Sequence, residues 1–196
     1  MKKKVTVIAL IVALLAVLSL GTAAYFTAED TATNVITSGS VDIKLHEMAI
    51  KEPGAEPVPF ENGQGVMPGS VVSKIVTVEN TGSGTAWVRI SIEKAIALAE
   101  GLEGEIDLDL ISLDLDTEHW TEHDGYYYYN APLAAGETTE PLFTTVTFAH
   151  SMGNLYQGSE ATVSVFAQAT QTANNGATAL EALGWPETTD EGGANA

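Results

Sequence analysis

Apolar residues recur at every second position through much of this chain, and that spacing limits what most of it can fold into. Val41, Ile43 and Leu45 alternate with Asp42, Lys44 and His46, and Val88, Ile90 and Ile92 alternate with Arg89, Ser91 and Glu93. Ala161, Val163, Val165 and Ala167 alternate with Thr162, Ser164 and Gln168, while Leu142, Val146 and Phe148 share a face with Thr144. Successive side chains of a strand point to opposite faces, so each run reads as a strand with one face in a core and one in water. Val72, Val76 and Val78 give a noisier version, with Lys74 on the same face. Turn residues separate the runs: Met67-Pro68-Gly69-Ser70, Asn80-Thr81-Gly82-Ser83-Gly84 and Ala134-Ala135-Gly136-Glu137. Short strands joined in this way predict an antiparallel β-sandwich, since a doubly wound sheet needs long helices between its strands. Helical signal is confined to residues 93–100, which stop at Gly101, and residues 177–183, ended by Gly184 and Pro186. The expected fold is therefore all-β with one or two short helices.

The chain begins with Met1-Lys2-Lys3-Lys4, continues as an apolar run to Leu20 and leaves it through Gly21-Thr22-Ala23-Ala24. A basic head, an apolar stretch of this length and a small-residue exit form a secretory signal peptide over residues 1–24, removed on export. Thr22 and Ala24 occupy the small positions before the cut, which places cleavage between Ala24 and Tyr25; a cut after Ala28 is the second choice. An uncleaved anchor is the alternative, because the run falls slightly short of the roughly 20 residues a spanning helix needs. Signal peptidase is then a partner during export, and the membrane is met only by the precursor. Domain organisation follows: an arm at residues 25–38, a sandwich at 39–186, and an acidic tail at 187–196 whose composition predicts disorder. Residues 52–65, with Pro53, Pro57 and Pro59, read as a long irregular connection.

Removing the head takes three of the eight basic residues and none of the 26 acidic ones, leaving a formal net charge of −21. Nucleic acid is excluded as a partner, since binding it requires clustered cations that neutralise phosphates. Such a charge also opposes self-association at low salt. The chain has no cysteine, which excludes a disulfide framework, a thiol nucleophile and thiolate metal sites. Stability has to come from a core, and about 170 residues suffice to bury one.

Gly21 to Ala28 (GTAAYFTA), Asn34 to Leu45 (NVITSGSVDIKL), Met67 to Lys94 (MPGSVVSKIVTVENTGSGTAWVRISIEK), Gly125 to Asn130 (GYYYYN) and Gln171 to Pro186 (QTANNGATALEALGWP) follow one another in a particular order and spacing. Together they resemble the TasA/camelysin family of secreted proteins, in the version found in anaerobic Firmicutes, over most of the chain. The resemblance implies a jelly-roll-like sandwich and export by a dedicated signal peptidase of the SipW type. It also implies a role as a fibre-forming or fibre-associated protein of the biofilm matrix, whose partners are itself or related matrix subunits. Camelysin denotes a metalloprotease activity, and no metal motif in the resembling regions supports it here. A secreted metalloprotease and a monomeric sugar-binding adhesin stand as alternatives.

His119-Trp120-Thr121-Glu122-His123 spells H-x-x-E-H, the inverted zincin signature, in which both histidines must share one helical face to hold zinc. No amphipathic helix surrounds it, so solvated histidines in a loop between two strands are expected, with no metal and no catalytic residue. Glu105, Asp107, Asp109, Asp114 and Asp116 alternate with apolar residues; calcium is one reading, but without EF-hand spacing a strand with an acidic outer face is preferred. Tyr126 to Tyr129 put two rings on each face of a strand, two for the core or its rim and two free to stack on a neighbour or a sugar. No nucleophile elbow appears, so the chain is not read as an enzyme, and nothing in it calls for a cofactor. The candidate assembly arm contains Tyr25, Phe26, Val35 and Ile36. Freed by cleavage, it could add as a strand to the sheet edge of another subunit, or pack as an ordinary first strand on its own sandwich.

Overall fold

A computed structural model describes residues 35–37, 41–61 and 68–186 of the chain. The signal segment 1–24 with its cleavage pair Ala24 and Tyr25, the arm residue Phe26 and the tail 187–196 lie outside the described residues. Eleven strands follow in order: β1 (Val35–Thr37), β2 (Ile43–Ala49), β3 (Val58–Pro59), β4 (Val71–Ser73), β5 (Ile75–Asn80), β6 (Ala86–Ala97), β7 (Ile111–Leu113), β8 (Trp120–His123), β9 (Tyr126–Tyr129), β10 (Thr145–Phe148) and β11 (Glu160–Gln171). Two 3-10 turns, Leu108–Leu110 and Asn154–Tyr156, are the helical elements among the described residues, and no helix there is long and apolar enough to cross a membrane.

The strands form one sheet in the order β1-β11-β6-β9-β8 and two smaller ones, β4-β10-β7 and β3-β2-β5. All pairings are antiparallel except that of β1 with β11. The two smaller sheets are joined where β4 passes into β5 at Lys74, whose N–H donates to Thr144 O at 2.9 Å, while Val76 N donates to Phe143 O at 3.1 Å. One buried cluster takes Ile43, Val76, Val78, Ile111, Val146 and Phe148 from the small sheets and Val88, Ile90, Trp120 and Val165 from the large one. The protein is an all-β sandwich, as the two-residue spacing requires.

Several local expectations are corrected. Residues 93–97 are strand, because β6 and β11 pair from Ala86↔Gln171 to Glu160↔Ala97 and the continuous ladder overrides helical propensity. Residues 177–183 form a turn rather than two helical turns. Asn175 closes this loop by accepting from Leu183 N at 2.8 Å and donating to Leu183 O at 3.0 Å. The acidic stretch before Asp116 is no continuous strand. It is exposed coil, then a 3-10 turn begun by Asp107, whose carboxylate accepts from Asp109 N at 3.0 Å, and only then β7.

Candidate functional site

Two places are candidates for meeting a partner, the β1 side of the large sheet and its outer face. At the first, β1 adds to β11 in parallel register, Val35↔Ala167 through Thr37↔Ala169. Val35 and Ile36, both expected in an assembly arm, therefore pair here with their own domain, and Val35 packs against the core. β11 is 12 residues long and β1 only 3, so residues 160–166 have no strand on that side among the described residues. A strand edge left without a partner strand is a template for another, although here Val163 O is already taken by a side chain. Lys74 guards it from within. Its Nζ donates to Val163 O at 2.8 Å, pairs with Glu47 Oε1 at 2.7 Å and lies 4.4 Å from the centre of the Phe60 ring. The contact with Glu47 is ionic, since that oxygen has no partner in hydrogen-bonding geometry.

On the outer face the expected exposure to water fails at one end. Residues 172–186 double back over β6 and β11, and Trp87, Gln168 and Thr170 become buried beneath them. Trp87, Tyr128, Ala179 and Ala182 form a second buried cluster, with Tyr126 and Trp185 packed on it. Gly176 permits the close passage, because a Cβ there would sit 2.5 Å from the backbone carbonyl carbon of Glu181. Arg89, the only arginine in the sequence, lies over Tyr126 at 3.9 Å and Trp185 at 4.6 Å. It donates to Gln168 Oε1 at 2.7 Å and to the Tyr128 hydroxyl at 3.2 Å.

The four tyrosines do divide two and two. Tyr127 and Tyr129 face the main core, where Tyr129 tilts against Trp120 at 5.1 Å, and Tyr126 and Tyr128 face outward. The outward pair is not free, however: Tyr128 meets the edge of Trp185 at 5.8 Å, and Arg89 covers one face of Tyr126.

The H-x-x-E-H string lies mostly in β8, not in a loop. β8 and β9 form a hairpin from Trp120↔Tyr129 to His123↔Tyr126, and its turn residues Asp124 and Gly125 have φ of 50° and 79°. Positive φ at both positions is the two-residue turn for which Asp-Gly is the standard signal, a signal that the reading of this region as a loop passed over. Strand geometry spreads His119 and His123 apart, and each has its own carboxylate, Asp116 at 2.7 Å and Asp124 at 3.2 Å. The bond to Asp116 raises the His119 pKa above 6.5 and, with the backbone N–H of His119, lowers that of Asp116. Among the described residues no three His, Cys, Asp or Glu side chains gather as a metal site. Burial, with Glu122 nearby, raises the Tyr127 pKa above 10. No protein-family profile, no curated protein and no solved structure matches the chain.

Proposed function

We propose that this chain is a secreted structural protein of an extracellular biofilm matrix, a fibre-forming or fibre-associated subunit that joins copies of itself or related subunits. The observation that carries the reading is the mismatch between β11 and β1: among the described residues, a 12-residue strand is paired over 3 residues on its outer side. A strand continued upstream of Val35 in the register Val35↔Ala167 would run along residues 160–166, whether it came from the same chain or from a neighbour. Backbone hydrogen bonds would make that joint, and alternate side chains would set its fit. Jelly-roll-like wrapping, export through the signal at residues 1–24 and exposure of the arm by cleavage belong to the same reading, supported by the signal pattern and the resembling segments.

The test compares the mature protein, beginning at Tyr25, with a form beginning at Gly39, by electron microscopy over a range of salt and pH. Filaments are expected from the first form only, and more readily with salt, divalent cations or acid, which weaken repulsion between copies of net charge −21. Equal filament yield from both forms would rule out the arm as the joint. A metalloprotease has less support, because His119 lies in the turn before β8 and His123 at its end, each paired with its own carboxylate, Asp116 and Asp124. Replacing both histidines by Ala is expected to leave metal content, measured by elemental analysis, unchanged.

A further inference from the structure

Besides Ile50 and Val71, large apolar side chains stay in water in two segments. On the strap over the outer face, Leu183 is 77% exposed and Leu180 46%, beside the half-buried Trp185. In the coil after β6, Leu102 is 38% exposed, Ile106 41% and Leu108 37%. Exposed apolar side chains grouped in one segment are candidates for an interaction site.

Charge distinguishes the two patches. The first lies on the strap whose Trp185 packs over Arg89. Lys51 and Lys74 pair with Glu61 and Glu47, whereas Arg89, like Lys44 and Lys94, touches no carboxylate among the described residues. Its guanidinium is held close to the Tyr126 and Trp185 rings, with Gln168 and Tyr128 as neutral partners, and a planar acceptor is what its fork of N–H donors suits. Trp, Tyr and Arg are the residue types enriched in binding hot spots. The second patch interleaves its apolar residues with Glu103, Glu105, Asp107 and Asp109, all exposed. It is extended coil over residues 102–107, with Asp107 N held by the Tyr156 hydroxyl at 2.9 Å.

We propose that residues 102–109 of one copy dock on the Arg89–Trp185–Leu183 patch of the next, carboxylates to the guanidinium and leucines to leucines. This rests on the reading that the chain assembles with itself, and adds a joint separate from the β11 edge. Arg89 lies near the start of β6, while the acidic segment follows its end and returns to Lys94, whose Nζ donates to Ile111 O at 2.8 Å. Two different patches on one chain make a heterologous contact, which propagates into a filament unless its rotation closes a ring.

The native chain has no cysteine, so single cysteines report the contact directly. Mature Leu183→Cys and Ile106→Cys proteins, mixed under assembly conditions and oxidised, are expected to give a mixed disulfide at least tenfold above either protein oxidised alone. Leu183→Ser and Glu105→Lys, both exposed, are each expected to weaken association at least tenfold by sedimentation velocity while leaving the thermal midpoint of the monomer unchanged. Filaments that form normally without the mixed disulfide, and survive both substitutions, would overturn this joint and leave the matrix reading standing. A mature protein that stays monomeric in every condition would overturn both.

Discussion

Lys74 and Arg89 each hold a positive charge against aromatic rings, one inside the sandwich and the other on the outer face of its largest sheet. Lys74 is 1% exposed and has a carboxylate, Glu47, at 2.7 Å. Arg89 is only half buried and is held by two ring faces, an amide and a phenol. The difference follows from hydration. An ammonium is compact and strongly hydrated, so full burial costs several kcal/mol unless an opposite charge accompanies it. A guanidinium is planar and weakly hydrated, and aromatic faces suffice while one edge stays wet. The inner cation is thus complete, whereas the outer one still has donors to offer.

Breaking the inner arrangement should have the largest effect. Lys74→Ala leaves Glu47 as an uncompensated charge facing the core, and is expected to cost about 3–5 kcal/mol, read from the urea midpoint. Replacing the pair together, Lys74→Met with Glu47→Leu, should recover most of that loss, because apolar side chains of similar volume avoid the desolvation of both ions. A double variant as unstable as Lys74→Ala would show that the bond to Val163 O, not the ion pair, is what matters.

Breaking the outer arrangement should act locally. Trp185→Ala removes the edge contact with Tyr128 and one face from Arg89, together worth about 1–2 kcal/mol. Amide exchange over residues 179–183 is expected to accelerate roughly tenfold, while β6 and β11 keep their protection. Equal acceleration in β6 would mean that the strap and the sheet unfold as one unit.

How much of this the sequence reveals depends on how local each cause is. Strands β2, β6, β10 and β11 are legible because alternation in a single run fixes which face is buried, and Lys74 is already marked by sharing a face with Val72, Val76 and Val78. The end of β6 is misread because Ala95, Ala97 and Leu98 favour a helix in isolation, and only the pairing of Glu160 with Ala97 decides otherwise. The strap is misread for the same reason, its path being set by Asn175 contacts with Leu183. The Arg89 cluster unites residues from β6, β9, β11 and the C-terminal segment, and no spacing predicts such a meeting. Its one visible signal is that a chain rich in acid contains a single arginine.

The smallest effect expected is in pH dependence, where hydrogen bonds to carboxylates sharpen the contrast with the ion pair inside. Slight burial works against ionisation of Asp114, but the Thr144 hydroxyl and the N–H groups of Thr145 and Thr144 outweigh it and hold its pKa below 3.8. A depressed carboxyl contributes stability that is present above its unfolded pKa of about 3.9 and is lost as pH falls through the folded value. His119 has the opposite sign. Raised chiefly by Asp116, with Glu118 and Glu140 adding to it, its contribution is full below about 6.5 and is lost as pH rises through the folded value. Both contributions are therefore complete between about pH 4 and 6.5. Mutual repulsion of the 26 acidic groups also varies over this range, falling as acid protonates them, so the difference between wild type and variant is the informative quantity. Thermal midpoints measured from pH 3 to pH 8 should show the gap between wild type and Asp114→Asn narrowing toward acid. The gap to His119→Gln, smaller because the side chain is exposed, should narrow toward alkaline pH. A His119→Gln gap that widens above pH 7 would mean that the neutral imidazole, not the imidazolium, is the form the fold uses.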